Sequence, residues 1–282
     1  MVLDESYNVP SKLSEKATSS QKIAGLLAII CSIVAIILTT IFAHGSSISD
    51  NYLGGLNWNE FIFNWHPVLM VTGMLFCSLT AILSYRIFPM TKLVTKTMHV
   101  VLHSAAVICV CTGLAAVVIG NNYPSKNVDG VYYSNLCSLH SFIGLGALIL
   151  YFQNYVFGFL HYIAPMALSL RKAYMPSHVF LGSFALFCSF AAALTGIMEL
   201  TTEDKCGYNV TSPDYNPAKH YHELTGGCLT MNGAGVMILL TAFFAAFALW
   251  DNHTTTASAT GVNRPLLNGD QDTKSMSFDH TK

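Results

Sequence analysis

The chain has 282 residues, of which 52% are hydrophobic and only 10% are charged, with a formal net charge of −1. A composition this apolar, gathered in runs of about 20 residues, excludes an ordinary water-soluble domain and predicts segments that cross a ~30 Å hydrocarbon core. Strands of a membrane barrel would be shorter and alternate in polarity, so the segments are read as helices. The sequence contains no phosphate-binding glycine loop, nicotinamide fingerprint or nucleophile elbow. It therefore has no means of drawing reductant from a dinucleotide, and nucleic acid is not an expected partner.

Taken in chain order, a polar leader (residues 1–22) carrying Lys12, Lys16 and Lys22 precedes the first span, Ile23–Phe42. That span is long and lacks a small-residue cleavage site, which favours a retained helix over a cleaved signal. Five more spans follow: Phe61–Leu83, Leu93–Ile119, Leu139–Leu160, Pro176–Met198 and Leu229–Leu249. Residues 251–282 form a polar tail that reads as solvated and disordered. The expected fold is an all-α membrane protein, with residues 23–250 as one six-helix domain.

Basic residues set the orientation. Lys12, Lys16, Lys22, Arg86, Lys92, Lys96, Arg171, Lys172, Arg264, Lys274 and Lys282 fall on one side of six spans, and only Lys126, Lys205 and Lys219 on the other. The positive-inside rule then places both termini in the cytosol. Asn209-Val210-Thr211 is a glycosylation acceptor in a loop assigned to the opposite face. Cys206 and Cys228 bracket the same loop and form a candidate disulfide where oxidation is permitted. The pattern suits an endomembrane vesicle, a lysosome-like organelle or the plasma membrane.

Ionisable residues inside a membrane are rare and usually functional. His66, His99, His140 and His178 lie near the starts of four successive spans. Spans 2 and 4 start on the non-cytosolic side and spans 3 and 5 on the cytosolic side. An antiparallel bundle thus collects His66 with His140 near one face and His99 with His178 near the other. At 1.5 Å per residue the two levels stand roughly 15–25 Å apart. Facing helices can offer two imidazoles to opposite sides of one flat haem, leaving no open iron position and favouring electron transfer. Attachment is expected to be noncovalent, because no Cys-x-x-Cys-His motif occurs. His103 lies four residues after His99 on the same helical face and is the rival ligand. The alternative reading is a six-helix metal or solute transporter, which would require more polar coordinating groups near the midplane than these spans hold.

The stretches FNWHPVLM (63–70), AILSYR (81–86), KTMHVVLH (96–103), SLHSFIG (138–144) and MPSHVFLG (175–182) resemble, in order and spacing, the cytochrome b561 family. The resemblance implies electron transfer from cytosolic ascorbate through two haem b groups to a non-cytosolic acceptor, monodehydroascorbate or ferric iron, in a homodimer. It assigns His66 and His140 to the outer haem and His99 and His178 to the cytosolic one. It places Lys92, Lys96 and Arg171 at the ascorbate site, with Arg86 in support, and His103 then reads as a secondary haem-pocket residue or a packing residue. Outside, the loop IGNNYPSKNVDGVYYSNLC (119–137) departs from the family pattern, and Asn122, Tyr123 and Tyr133 are loose candidates for the acceptor site.

Overall fold

A computed structural model describes residues 17–46, 51–122, 135–163, 167–202, 206 and 225–250. Six helices among them are long and apolar enough to cross a membrane. They are α1 (Ser19–His44), α2 (Ile62–Ile87), α3 (Lys92–Asn122), α4 (Leu139–Tyr162), α5 (Leu168–Thr202) and α6 (Gly226–Leu249).

Helix α1 begins four residues before its apolar run because a capping box starts it. The Thr18 hydroxyl accepts the Gln21 amide (3.2 Å), and the Gln21 side chain accepts the Thr18 amide (3.0 Å), satisfying two donors that would otherwise be orphaned. At the other end of the connection, the Asn64 side chain donates to the carbonyls of Leu53 (3.0 Å) and Gly55 (2.7 Å). Gly54 and Gly55 sit at φ values of 97° and 139°, which only glycine adopts without strain.

Helix α2 is not uniform. It passes from a 3₁₀ turn (Ile62–Asn64) through α-helix (Trp65–Met70) and a π-helical stretch (Val71–Cys77), then back to α-helix (Ser78–Ile87). Both the Ser78 amide and its hydroxyl donate to the Gly73 carbonyl, five residues back. Gly73 lies where a Cβ would come within 2.9 Å of Cys109 Cβ, so α2 and α3 approach closely there.

Helix α5 differs from its expected bounds. It starts at Leu168, eight residues earlier, and Pro176 lies inside it. Arg171 and Lys172, expected in a loop, therefore occupy its first turns. A proline inside a membrane helix is tolerated where neighbouring groups compensate the lost backbone bond.

Helix α1 packs chiefly on α6, α4 on α5, and α2 against α3. Small residues make these approaches close: Ala24, Ala28 and Ala35 of α1, and Ala245 and Ala248 of α6, are all buried. The opposite faces carry exposed Ile, Leu, Val and Phe, such as Ile108, Phe180 and Phe243. Those surfaces suit lipid, since hydrocarbon gives them no reason to turn inward.

Candidate functional site

The bundle sets four imidazoles in two pairs. His66 of α2 and His140 of α4 have ring centroids 6.1 Å apart, and His99 of α3 and His178 of α5 are 6.3 Å apart. A metal–imidazole bond of about 2 Å, plus about 1.1 Å from nitrogen to ring centre on each side, spaces two axial rings by about 6 Å. Both gaps therefore fit one six-coordinate iron.

Hydrogen bonding fixes which nitrogen faces each gap. Nδ1 of His66 lies 3.0 Å from the Gly113 carbonyl, Nδ1 of His99 2.8 Å from that of Ala81, and Nδ1 of His140 2.7 Å from that of Ala192. A carbonyl only accepts, so each Nδ1 carries the proton and each Nε2 keeps its lone pair for a metal. This is the usual outer support of a ligating histidine. His178 departs from the pattern: its Nδ1 is buried and has no hydrogen-bond partner among the described residues. Its ring is held by packing instead, with Tyr162 at 5.4 Å and Tyr174 at 5.9 Å between centroids.

Two glycines make room for the rings. A Cβ on Gly158 would stand 2.8 Å from Cε1 of His178, and one on Gly196 would stand 2.8 Å from Cε1 of His140. Each lies on the helix facing the ligand, so the absence of a side chain is what seats the imidazole.

The two layers share one register. His99 and Gly113 are 14 residues apart on α3, and His178 and Ala192 are 14 apart on α5, so the layers are separated by about 21 Å. On α2 the matching positions, His66 and Ala81, are 15 apart. The π-helical stretch between them absorbs the extra residue. Without it, α2 could not present both its outer histidine and its inner carbonyl to α3.

His103 is half-buried beside His99, their centroids 4.4 Å apart and edge-on. Its Nδ1 contacts the Tyr151 hydroxyl at 2.9 Å. The structure thus places His99 opposite His178 and ties His103 to α4.

A cleft of about 1170 Å³ opens beside Tyr162, whose ring packs against His178. Lys92, Arg171 and Lys172 line it, together with Tyr162, Met175 and Pro176. Lys96 does not line it; its Nζ donates to the Tyr162 carbonyl at 2.6 Å, at the C-terminal end of α4. Cations are favoured at such helix ends. Arg86 reaches the end of α6, where its Nε donates to the Ala248 carbonyl at 3.3 Å.

Sequence reasoning missed Asn154. Its amide donates to the His178 carbonyl (3.2 Å), and its oxygen accepts from Tyr174 (3.3 Å). A buried amide inside an apolar span was the available signal. Gly158 and Tyr162 had no comparable signal, because membrane helices carry glycines and aromatics for ordinary packing too.

Near the outer layer, Ser138 caps α4 and donates to Glu199 at 2.9 Å. Asn122 accepts from Asn135 at 3.3 Å, joining the end of α3 to the approach to α4. Cys206 and Cys228 are disulfide-bonded, with Cα atoms 5.6 Å apart. Tyr123, Tyr133 and Asn209 lie outside the described residues. No three His, Cys, Asp or Glu side chains converge as a metal cage among the described residues.

The family described as "Eukaryotic cytochrome b561" matches residues 65–203, which includes all four paired histidines. A transmembrane ascorbate-dependent reductase of Homo sapiens is 34% identical over 194 residues, covering 67% of this chain and 73% of the relative. A probable ascorbate-specific transmembrane electron transporter of Oryza sativa is 31% identical over 234 residues, covering 82% and 92%. A transmembrane ascorbate ferrireductase of Arabidopsis thaliana is 33% identical over 185 residues, covering 64% and 70%. With its paired intramembrane imidazoles carried on the matched helices, the chain belongs to the eukaryotic cytochrome b561 family.

Proposed function

We propose that this protein is an ascorbate-dependent transmembrane oxidoreductase, moving single electrons from cytosolic ascorbate to an acceptor on the opposite face. The observation that carries this reading is the pair of imidazole gaps, each near 6 Å, at two levels of the helix bundle, with a cleft on one side whose lining includes Lys92, Arg171 and Lys172. His66 with His140, and His99 with His178, would each hold one haem b noncovalently. Such a group, when bound, would supply an iron that exchanges one electron.

The chain's own residues do the remainder. Lys92, Arg171 and Lys172 attract and orient an anion such as ascorbate in the cleft. Lys96 holds the end of α4, whose Tyr162 lines that cleft, and Arg86 holds the end of α6. Three backbone carbonyls fix imidazole orientation, and Gly158 and Gly196 seat the rings. Ascorbate loses its proton locally as it is oxidised, so no proton has to cross with the electron. Both termini lie in the cytosol, and ferric iron or monodehydroascorbate accepts the electron outside.

The test is an optical spectrum of the purified protein before and after ascorbate, with haem quantified per chain. Two low-spin haems reduced by ascorbate are expected. Folded protein free of haem would refute the reading. His99→Ala and His140→Ala should each disturb one haem and spare the other. Loss of the cytosolic haem in His103→Ala, with His99→Ala unaffected, would reverse the ligand assignment.

A further inference from the structure

Tryptophans at a membrane boundary usually use the indole N–H on water or headgroups. Trp65 does not fit that role, because its Nε1 is buried without a hydrogen-bond partner among the described residues. What it holds is another indole. Trp58 stacks on it with centroids 4.9 Å apart and planes 9° from parallel. Trp58 is itself 47% exposed. The turn beneath it is pinned: the Asn57 side chain accepts the Asn59 amide at 2.8 Å, and the Asn57 carbonyl accepts the Phe61 amide at 3.0 Å. Trp65 and the outer ligand His66 share a peptide bond. The stack is therefore fixed beside the backbone that carries that histidine.

Charge decides what this platform fits. The connection between α1 and α2 contains Asp50 and Glu60 but no Lys or Arg. Across all segments assigned to the non-cytosolic face there are eight carboxylates against three lysines. An anion would be repelled there, the reverse of the cleft lined by Lys92, Arg171 and Lys172. A cation gains from the exposed indole face, by about 0.5–1 kcal/mol at such a site, and from the Glu60 carboxylate.

Building on the electron-transfer reading above, we propose that Trp58, stacked on Trp65 and two residues before the exposed Glu60, is the docking contact for the outer acceptor, and that the acceptor is a small metal cation or cationic metal chelate. One electron passes from the reduced outer centre to the docked cation, which loses one unit of positive charge. No bond to hydrogen breaks and no proton moves. The product is held less strongly than the oxidised form, so transfer itself promotes release.

The experiment uses full-length, haem-loaded protein in vesicles with ascorbate sealed inside, so that only molecules with their cytosolic face inward are driven. Impermeant oxidants of opposite charge, hexaammineruthenium(III) and ferricyanide, are added outside. Trp58→Leu and Glu60→Gln should each slow the cationic oxidant about two- to fivefold and leave ferricyanide as fast or faster. High salt should erase the Glu60 effect, and Trp58→Phe should restore most of the rate. Independently of turnover, terbium(III) luminescence sensitised by indole should be strong in the wild type, weaker in Glu60→Gln and largely lost in Trp58→Leu. The same change from wild type with both oxidants in these variants, or unchanged terbium signal in Trp58→Leu, would overturn the docking assignment. Wild-type protein whose haems ascorbate fails to reduce would overturn the electron-transfer reading instead.

Discussion

Gly158→Ala adds one methyl group where it meets a rigid ring. The new Cβ would stand 2.8 Å from Cε1 and 3.3 Å from Nδ1 of His178, whereas ordinary contact begins at 3.4 Å. The imidazole cannot simply retreat, because Tyr162 and Tyr174 pack around it. Overpacking of this kind costs about 1–3 kcal/mol. With 1.4 kcal/mol per factor of ten, the affinity of the cytosolic haem falls by about 5- to 150-fold. Alanine also favours a helix over glycine by up to about 1 kcal/mol, so the fold itself should not weaken in proportion. Haem per chain and the low-spin signal, measured beside thermal unfolding, separate the two effects. The expected outcome is loss of one haem from protein that melts near the wild-type temperature. Gly196→Ala, against His140, should remove the other haem. Two intact low-spin haems in Gly158→Ala would refute the argument that this glycine seats His178.

The π-helical stretch predicts an unusual tolerance. Deleting Thr72 leaves 14 residues between His66 and Ala81, matching α3, and should convert the stretch to α-helix with both haems retained; deleting one residue from the middle of α3 should lose at least one haem by the same spectrum. Lys92→Gln and Lys172→Gln should each raise the ascorbate concentration for half-maximal haem reduction about threefold to tenfold, as removal of roughly 1 kcal/mol of attraction implies, with a smaller difference from wild type at high salt. Cys206→Ala opens a crosslink between residues 22 apart, and should lower stability by about 3 kcal/mol, read as a lower unfolding temperature that reducing agent reproduces in the wild type.

The six spans and the depth of the four histidines were legible because both are counted along the chain. Hydropathy marks where a helix crosses, and the fixed rise per residue sets how deep each imidazole sits. The start of α5 was not legible, since Pro176 looked like a boundary and proved to lie within the helix. The basic cluster was legible as a group but not in its division of labour. Lys96 turned to the end of α4, while Lys172, less favoured by sequence, came to line the cleft.

Local properties of the sequence thus determined the membrane class, the helix count and the two histidine levels. Tertiary structure alone decided the rotation of each helix about its axis. These helices are apolar around most of their circumference, and lipid does not penalise one apolar face over another. Rotation is therefore set by contacts between helices: Gly158 against His178, the carbonyls of Gly113, Ala81 and Ala192 against three histidines, and one π-helical stretch that keeps α2 in step with α3.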